Sequence, residues 1–161
     1  KALEAAEQYI PIEGGSVLIS IGADDLKKQV IPIAQKLRDL GFTIFGTEHT
    51  VQALKNSGID AVKLYKVHEI GKEPNIMECL QNGHIDMVIN IPMPTTAHEK
   101  FRQIIQDEYE IRRKAVDYNI PVIVNLQLAK AIVEAIEKMR QREIKVKSLG
   151  EYHKQLDEIY W

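Results

Sequence analysis

Short runs of β-branched and aliphatic residues alternate along this chain with longer stretches whose apolar positions recur every three to four residues. That is the pattern of strands joined by helical crossovers. Ser16 to Ile21 is the first expected strand, apolar almost throughout, as a strand covered on both faces must be. Residues 1–15, ending Glu13-Gly14-Gly15, read as a lead-in from a preceding domain, with Ala2 to Tyr9 expected as the tail of a helix, and residues 16–161 are expected to make one domain. Asp24 and Asp25 offer N-caps for a helix reaching Leu40 and closed by Gly41. Pro32 cannot sit in a regular helix interior, which predicts a kink or an irregular first turn carrying Lys27 and Lys28.

Thr43 to Gly46 is the second strand, followed by a helix to about Ser57, closed by Gly58. Ala61 to Leu64 is a short third strand, Lys66 to Pro74 a loop, and the next helix ends near Asn82-Gly83. Met87 to Ile91 is the fourth strand, after which Pro92-Met93-Pro94-Thr95-Thr96 interrupts regular structure. A helix over Tyr109 to Tyr118, a fifth strand over Pro121 to Val124 and a long helix over Leu126 to Arg142 follow. The last of these places Leu128, Ile132, Ala135 and Ile136 on its buried side. The tail, Ile144 to Trp161, adds a strand and a short helix. The whole reads as an α/β fold, an open parallel sheet of about five strands with helices on both faces.

Ile44 to Thr50 is a buried strand running through a tight turn directly into a helix, with Thr47 and Thr50 at the junction. A helix start carries unpaired N–H groups and partial positive charge, so these hydroxyls stand where phosphate or carboxylate is best held. Helix capping by Thr47 is the plain alternative. Parallel sheets bind ligands beyond the carboxyl ends of their strands. Lys27, Thr47, Thr50, Lys66, Asn90 and Asn125 all fall there, which makes them the candidate binding residues. Two ammonium groups and two hydroxyls at one helix terminus would form a pocket of local positive potential.

Composition limits what else the chain does. Its 161 residues, 45% hydrophobic and 27% charged, suit one well-cored domain. A net charge of −2 gives no general attraction to nucleic acid or anionic membrane. Cys79 is the single cysteine, which excludes an internal disulfide, suits a reducing cytoplasmic interior and is read as core filler. No run of about 18 apolar residues directs the chain into a membrane. The five histidines show no ligand spacing, so no metal site is expected. A basic stretch from Lys138 to Lys147 is interleaved with Glu137 and Glu143, as in a solvated helix end. A chain opening on Lys1 is read as a section of a longer polypeptide or a processed start.

Several segments together resemble the methylglyoxal-synthase-like domain that closes the large subunit of carbamoyl phosphate synthetase. They are Ser20-Ile21-Gly22 through Lys27, Phe45-Gly46-Thr47-Glu48-His49-Thr50, Lys66-Val67-His68-Glu69, Asn82 through Asn90, Ile111-Arg112-Arg113-Lys114-Ala115-Val116-Asp117 and Asn119-Ile120-Pro121. The resemblance runs from about Gly15 to the C-terminus and implies a Rossmann- or flavodoxin-like sheet. It also implies a regulatory domain with no catalytic residues and no cofactor of its own, inside a cytoplasmic, ATP- and Mg-using, glutamine-hydrolysing ligase of pyrimidine and arginine biosynthesis. Its implied partners are the synthetase domains of the same polypeptide, the glutaminase small subunit and an anionic effector. Bacterial-type members bind UMP or IMP, whereas the urea-cycle type binds N-acetylglutamate.

Carried over by position, Lys27, Thr47, Thr50 and Lys66 match the effector-phosphate residues of nucleotide-binding members. The urea-cycle type has Trp where this chain has Lys66, and an ammonium there favours a phosphorylated effector. Two departures stand out. Glu48 puts a carboxylate beside the expected phosphate, and Ile91-Pro92-Met93-Pro94 is closer to the urea-cycle-type loop, so the resemblance leaves the effector open. The enzymatic alternative is methylglyoxal synthase acting on dihydroxyacetone phosphate, with Glu73 as the carboxylate base.

Overall fold

The central strand of the sheet is β1 (Gly15–Ile21), flanked by β2 (Phe42–Gly46) and β4 (Met87–Ile91), with β3 (Val62–Lys63) and β5 (Val122–Ile123) at the edges. All pairings are parallel, in the order β3-β2-β1-β4-β5. The crossovers are α1 (Asp24–Asp39), α2 (Glu48–Asn56), α3 (Ile76–Gln81) and α4 (Arg102–Asp117), and α5 (Leu126–Ile159) follows β5. The structure, a computed structural model, describes residues 9–93 and 102–159, with side chains described to residue 142. The expected helix over Ala2 to Tyr9 and the Pro94 to Thr96 part of the interrupting loop lie outside these residues, apart from Tyr9 itself.

Alternation along β1 explains why both faces are covered. Val17, Ile19 and Ile21 enter a core with Val30, Ile33, Ala34 and Leu37 of α1, Val51 and Leu54 of α2, and Ala129, Ile132, Val133 and Ile136 of α5. Leu18 points the other way, into a second core with Val88, Ile76, Cys79 and Leu80 of α3, and Ile111 and Ala115 of α4. By the same period of two, Ser20 lies on the Leu18 face, in register with Asn90. Polar side chains therefore replace apolar ones on that face just where the strands end.

Local structure departs from expectation at several points. Ala23, not an aspartate, occupies the N-cap of α1, and Asp24 and Asp25 sit in its first turn, favourably placed for the helix dipole. The helix runs unbroken through Pro32 in place of an irregular first turn. Pro32 and Lys28 are both exposed, so the carbonyl that loses its donor faces water. Gly41 and Gly58 close α1 and α2 as expected, each with positive φ (83° and 76°) and its N–H bonded back to the last turn.

The edge strands are two residues each rather than four, since each pairs on one side only. Helix α4 begins at Arg102, well before Tyr109. Helix α5 continues to Ile159 in place of the expected strand and short helix; residues 138–147 are mostly strong helix formers, and the helix simply extends through them. Its buried side is also rotated, because Ala129, Ile132, Val133 and Ile136 pack inward while Leu128 and Ala135 are exposed. Arg140, in the basic stretch, donates from Nε to the Ile12 carbonyl at 2.7 Å, and Ile10 and Ile12 pack on the first core.

Candidate functional site

The strand order reverses direction between β1 and β4, and a crevice opens at their carboxyl ends. A cavity of about 210 Å³ occupies it, lined on the β1 and α1 side by Ser20, Gly22, Asp24 and Lys27, on the β2 and β3 side by Thr47, His49 and Lys66, and on the α4 side by Asp107, Glu108 and Ile111. Lys27, Thr47 and Lys66 thus meet around one space.

Each is positioned by its local sequence. Lys27 is one turn into α1 and pairs with the Asp24 carboxylate, whose pKa is lowered by that hydrogen bond and charge. Thr47 holds the N-cap position of α2, yet its hydroxyl caps nothing: Oγ1 lies 3.4 Å from Oγ1 of the fully buried Thr50. The first-turn N–H groups of α2 therefore have no side-chain cap. Lys66 is held through its backbone. Its N–H donates to Glu69 Oε2 at 2.9 Å and its carbonyl accepts from Asn75 Nδ2 at 3.0 Å, while Asn75 Oδ1 caps α3 through the Met77 N–H. The Lys66 amide and the Lys72 ammonium hold the Glu69 carboxyl below its ordinary value.

Three expected residues are placed otherwise. Thr50 lies behind Thr47 rather than on the cavity wall. Asn90 is fully buried, its Oδ1 accepting from Arg112 Nη1 at 2.6 Å and its Nδ2 without a hydrogen-bond partner among the described residues. Arg112 thereby ties α4 to β4. Asn125 is exposed and serves α5, accepting the Leu128 N–H on Oδ1 at 2.7 Å, and does not line this cavity. Glu48 does not fill the cavity; Lys63 draws it outward. Glu73, the carboxylate of the enzymatic alternative, is exposed and lines no part of the cavity.

The α4 wall was not foreseen. Asp107 and Glu108 are both buried, and their signal in the sequence was positional: they precede Ile111 by four and three residues, on its helical stripe. Asp107 is held by His68 Nδ1, at 2.8 and 2.9 Å from its two oxygens, and by Gln103 Nε2 at 3.1 Å. Glu108 Oε2 accepts the Met93 N–H at 3.0 Å, and Oε1 has no partner among the described residues. Burial pushes the Glu108 carboxyl above its ordinary pKa, opposed in part by the Met93 amide, the Arg112 charge and, last, the Lys66 charge. One side of the cavity thus carries Lys66 and Lys27, the latter paired with Asp24, and the other is lined by carboxyl groups. Among the described residues no cluster of His, Cys, Asp and Glu forms a metal-ligating set, and no helix is long and apolar enough to cross a membrane.

Comparison with known proteins places the chain in a family. The model of the MGS-like domain matches residues 29–124. The carbamoyl phosphate synthase large chain of Methanoculleus marisnigri is 38% identical over 153 residues, 95% of this chain and 13% of that protein. The C-terminal section of that large chain from Methanopyrus kandleri is 38% identical over 154 residues, 96% of this chain and 27% of that protein. This chain therefore spans a small part of the curated relatives it matches. Methylglyoxal synthase from Elizabethkingia anophelis superposes with a TM-score of 0.59 at 20% identity, covering 75% of this chain and 78% of that one, a likeness of fold. Matched over most of its sheet by the family model, the chain belongs to the family of MGS-like domains.

Proposed function

We propose that this chain is the effector-binding regulatory domain of a carbamoyl phosphate synthase large chain, and that it takes a phosphorylated metabolite of the UMP or IMP type. The observation that carries this reading is the meeting of Lys27, Lys66 and the uncapped start of α2 around one cavity. Phosphate is bound there by charge-assisted hydrogen bonds from two ammonium groups and by backbone N–H groups at the positive end of the helix. The relatives' names support the parent enzyme. In that parent, a cytoplasmic ligase using ATP and Mg for pyrimidine and arginine synthesis, the domain would bias the synthetase domains of its own polypeptide, which work with the glutaminase small subunit. Such control requires that effector bind two states of the enzyme with different affinity.

Calorimetric titration of UMP, IMP and N-acetylglutamate into the chain and into Lys66→Ala tests the reading. A nucleotide that binds, and that loses about tenfold or more in affinity when the ammonium is removed, is the expected result. Negligible heat from all three overturns it.

A second reading, methylglyoxal synthase, gains support from the two carboxyl groups on the α4 wall, because eliminating phosphate from a triose phosphate needs a base beside the anchored substrate. Asp107 is already engaged by His68, only Oε2 of Glu108 is taken by Met93, and Glu73, the base expected from the sequence, lies away from the cavity, which favours the binding role. Turnover of dihydroxyacetone phosphate by the chain would decide for the enzyme.

A further inference from the structure

Glu108 combines three observations that a packing role does not account for. The residue is 3% exposed, yet Oε1 has no hydrogen-bond partner among the described residues, and a buried oxygen in that condition is costly. The residue lines the cavity that holds Lys27 and Lys66, and its carboxyl feels the Lys66 charge. The chain also makes room for it: a Cβ built on Gly22, at the end of β1, would stand 2.1 Å from Oε1 and 3.0 Å from the Met93 nitrogen. The carboxyl is lodged where any other residue's side chain would lie. Its second oxygen is fixed by the Met93 N–H, so Oε1 keeps one orientation.

We propose that Glu108 is a specificity-determining residue of the cavity, its Oε1 hydrogen-bonding a hydroxyl of a ligand whose phosphate is anchored at Lys27, Thr47 and Lys66. The proposal rests on the anion-anchoring reading and adds the residue that distinguishes hydroxyl-bearing phosphate esters from other anions. A phosphate ester bearing hydroxyl groups, such as a sugar phosphate or nucleoside monophosphate, satisfies both walls. A ligand with a second anionic group in place of the hydroxyls sets that charge against Glu108 and Asp107, where like charges repel in a poorly hydrated space. Glu108→Gln reverses the contact with little change of shape. The Met93 N–H demands an acceptor, so the amide oxygen takes the Oε2 position and the amide NH2 takes that of Oε1, a donor where an acceptor was.

Ribose 5-phosphate, phosphoglycolate and inorganic phosphate are titrated calorimetrically into the wild-type chain, Glu108→Gln and Lys66→Ala, with thermal melting of each variant as the folding control. The wild type is expected to prefer ribose 5-phosphate to phosphoglycolate. Glu108→Gln is expected to weaken ribose 5-phosphate about threefold or more, because a ligand hydroxyl set to donate to Oε1 must turn to accept from the amide, while leaving inorganic phosphate within about twofold. Lys66→Ala is expected to weaken all three ligands. An equal loss for ribose 5-phosphate and inorganic phosphate in Glu108→Gln, or no loss for either, overturns the role of Glu108 while leaving the anion anchor standing. Failure of all three ligands to bind the wild type overturns both. Should Glu108→Gln not fold, Glu108→Ala is read by the same ratio between the two ligands.

Discussion

Lys63 Nζ donates to Glu48 Oε2 at 2.7 Å, and this contact turns the one carboxylate in the first turn of α2 away from the anion cavity. The hydrogen bond and charge of Lys63 hold the Glu48 carboxyl below its ordinary pKa, so it remains ionised. Lys63 stands on β3 and Glu48 on α2, so the sheet edge determines where that charge points.

Lys63→Met should therefore release Glu48 toward the positive end of α2 and weaken phosphate binding by about threefold to tenfold. Adding Glu48→Gln to Lys63→Met should restore affinity. Phosphate titrations of the two variants check this, and an affinity unchanged by Lys63→Met would count against it.

Gly22→Ala should destabilise the chain by about 1–3 kcal/mol, because its methyl group meets the Glu108 carboxyl and the Met93 backbone. Combined with Glu108→Ala, the same change should cost clearly less than it does alone. Urea unfolding of the single and double variants measures the coupling.

The raised pKa of Glu108 carries a sign for pH dependence. A buried acid that holds its proton more tightly when folded adds no penalty below its unfolded pKa. Its ionisation then costs stability as pH rises from that value through the folded one. Wild type should thus lose stability relative to Glu108→Gln as pH rises across and just above the carboxylate range. Urea midpoints over that range give the test; parallel curves for the two proteins would contradict it.

Rotation of the buried side of α5 has its own consequence. Ile136→Ala, inside the first core, should cost about 2–5 kcal/mol, as a large-to-small change in a packed site does. Leu128→Ala, on the exposed side, should cost less than about 1 kcal/mol. Thermal unfolding of both variants distinguishes this facing from the one its periodicity suggested.

Much of the architecture was written in local pattern. The alternation of apolar strands with helical periods, the glycines at 41 and 58 and the buried runs at 16–21 and 87–91 announced a parallel sheet with two covered faces, because period and chain reversal are properties of neighbouring residues. The same reasoning brought Lys27, Thr47 and Lys66 to one end of the sheet, since a parallel strand order sends every loop after a strand to that end. Tertiary structure alone decided which of those loop residues meet. Asn125 sits one strand beyond the crevice and caps its own helix, while Asp107 and Glu108, inside a helix whose start the sequence hid, are carried into the cavity by the packing of Ile111 and Ala115. The facing of Glu48 was likewise undecidable from its neighbours in sequence. A carboxylate turns toward whichever cation the folded sheet sets within reach, and Lys63 comes within reach only when β3 is laid against β2.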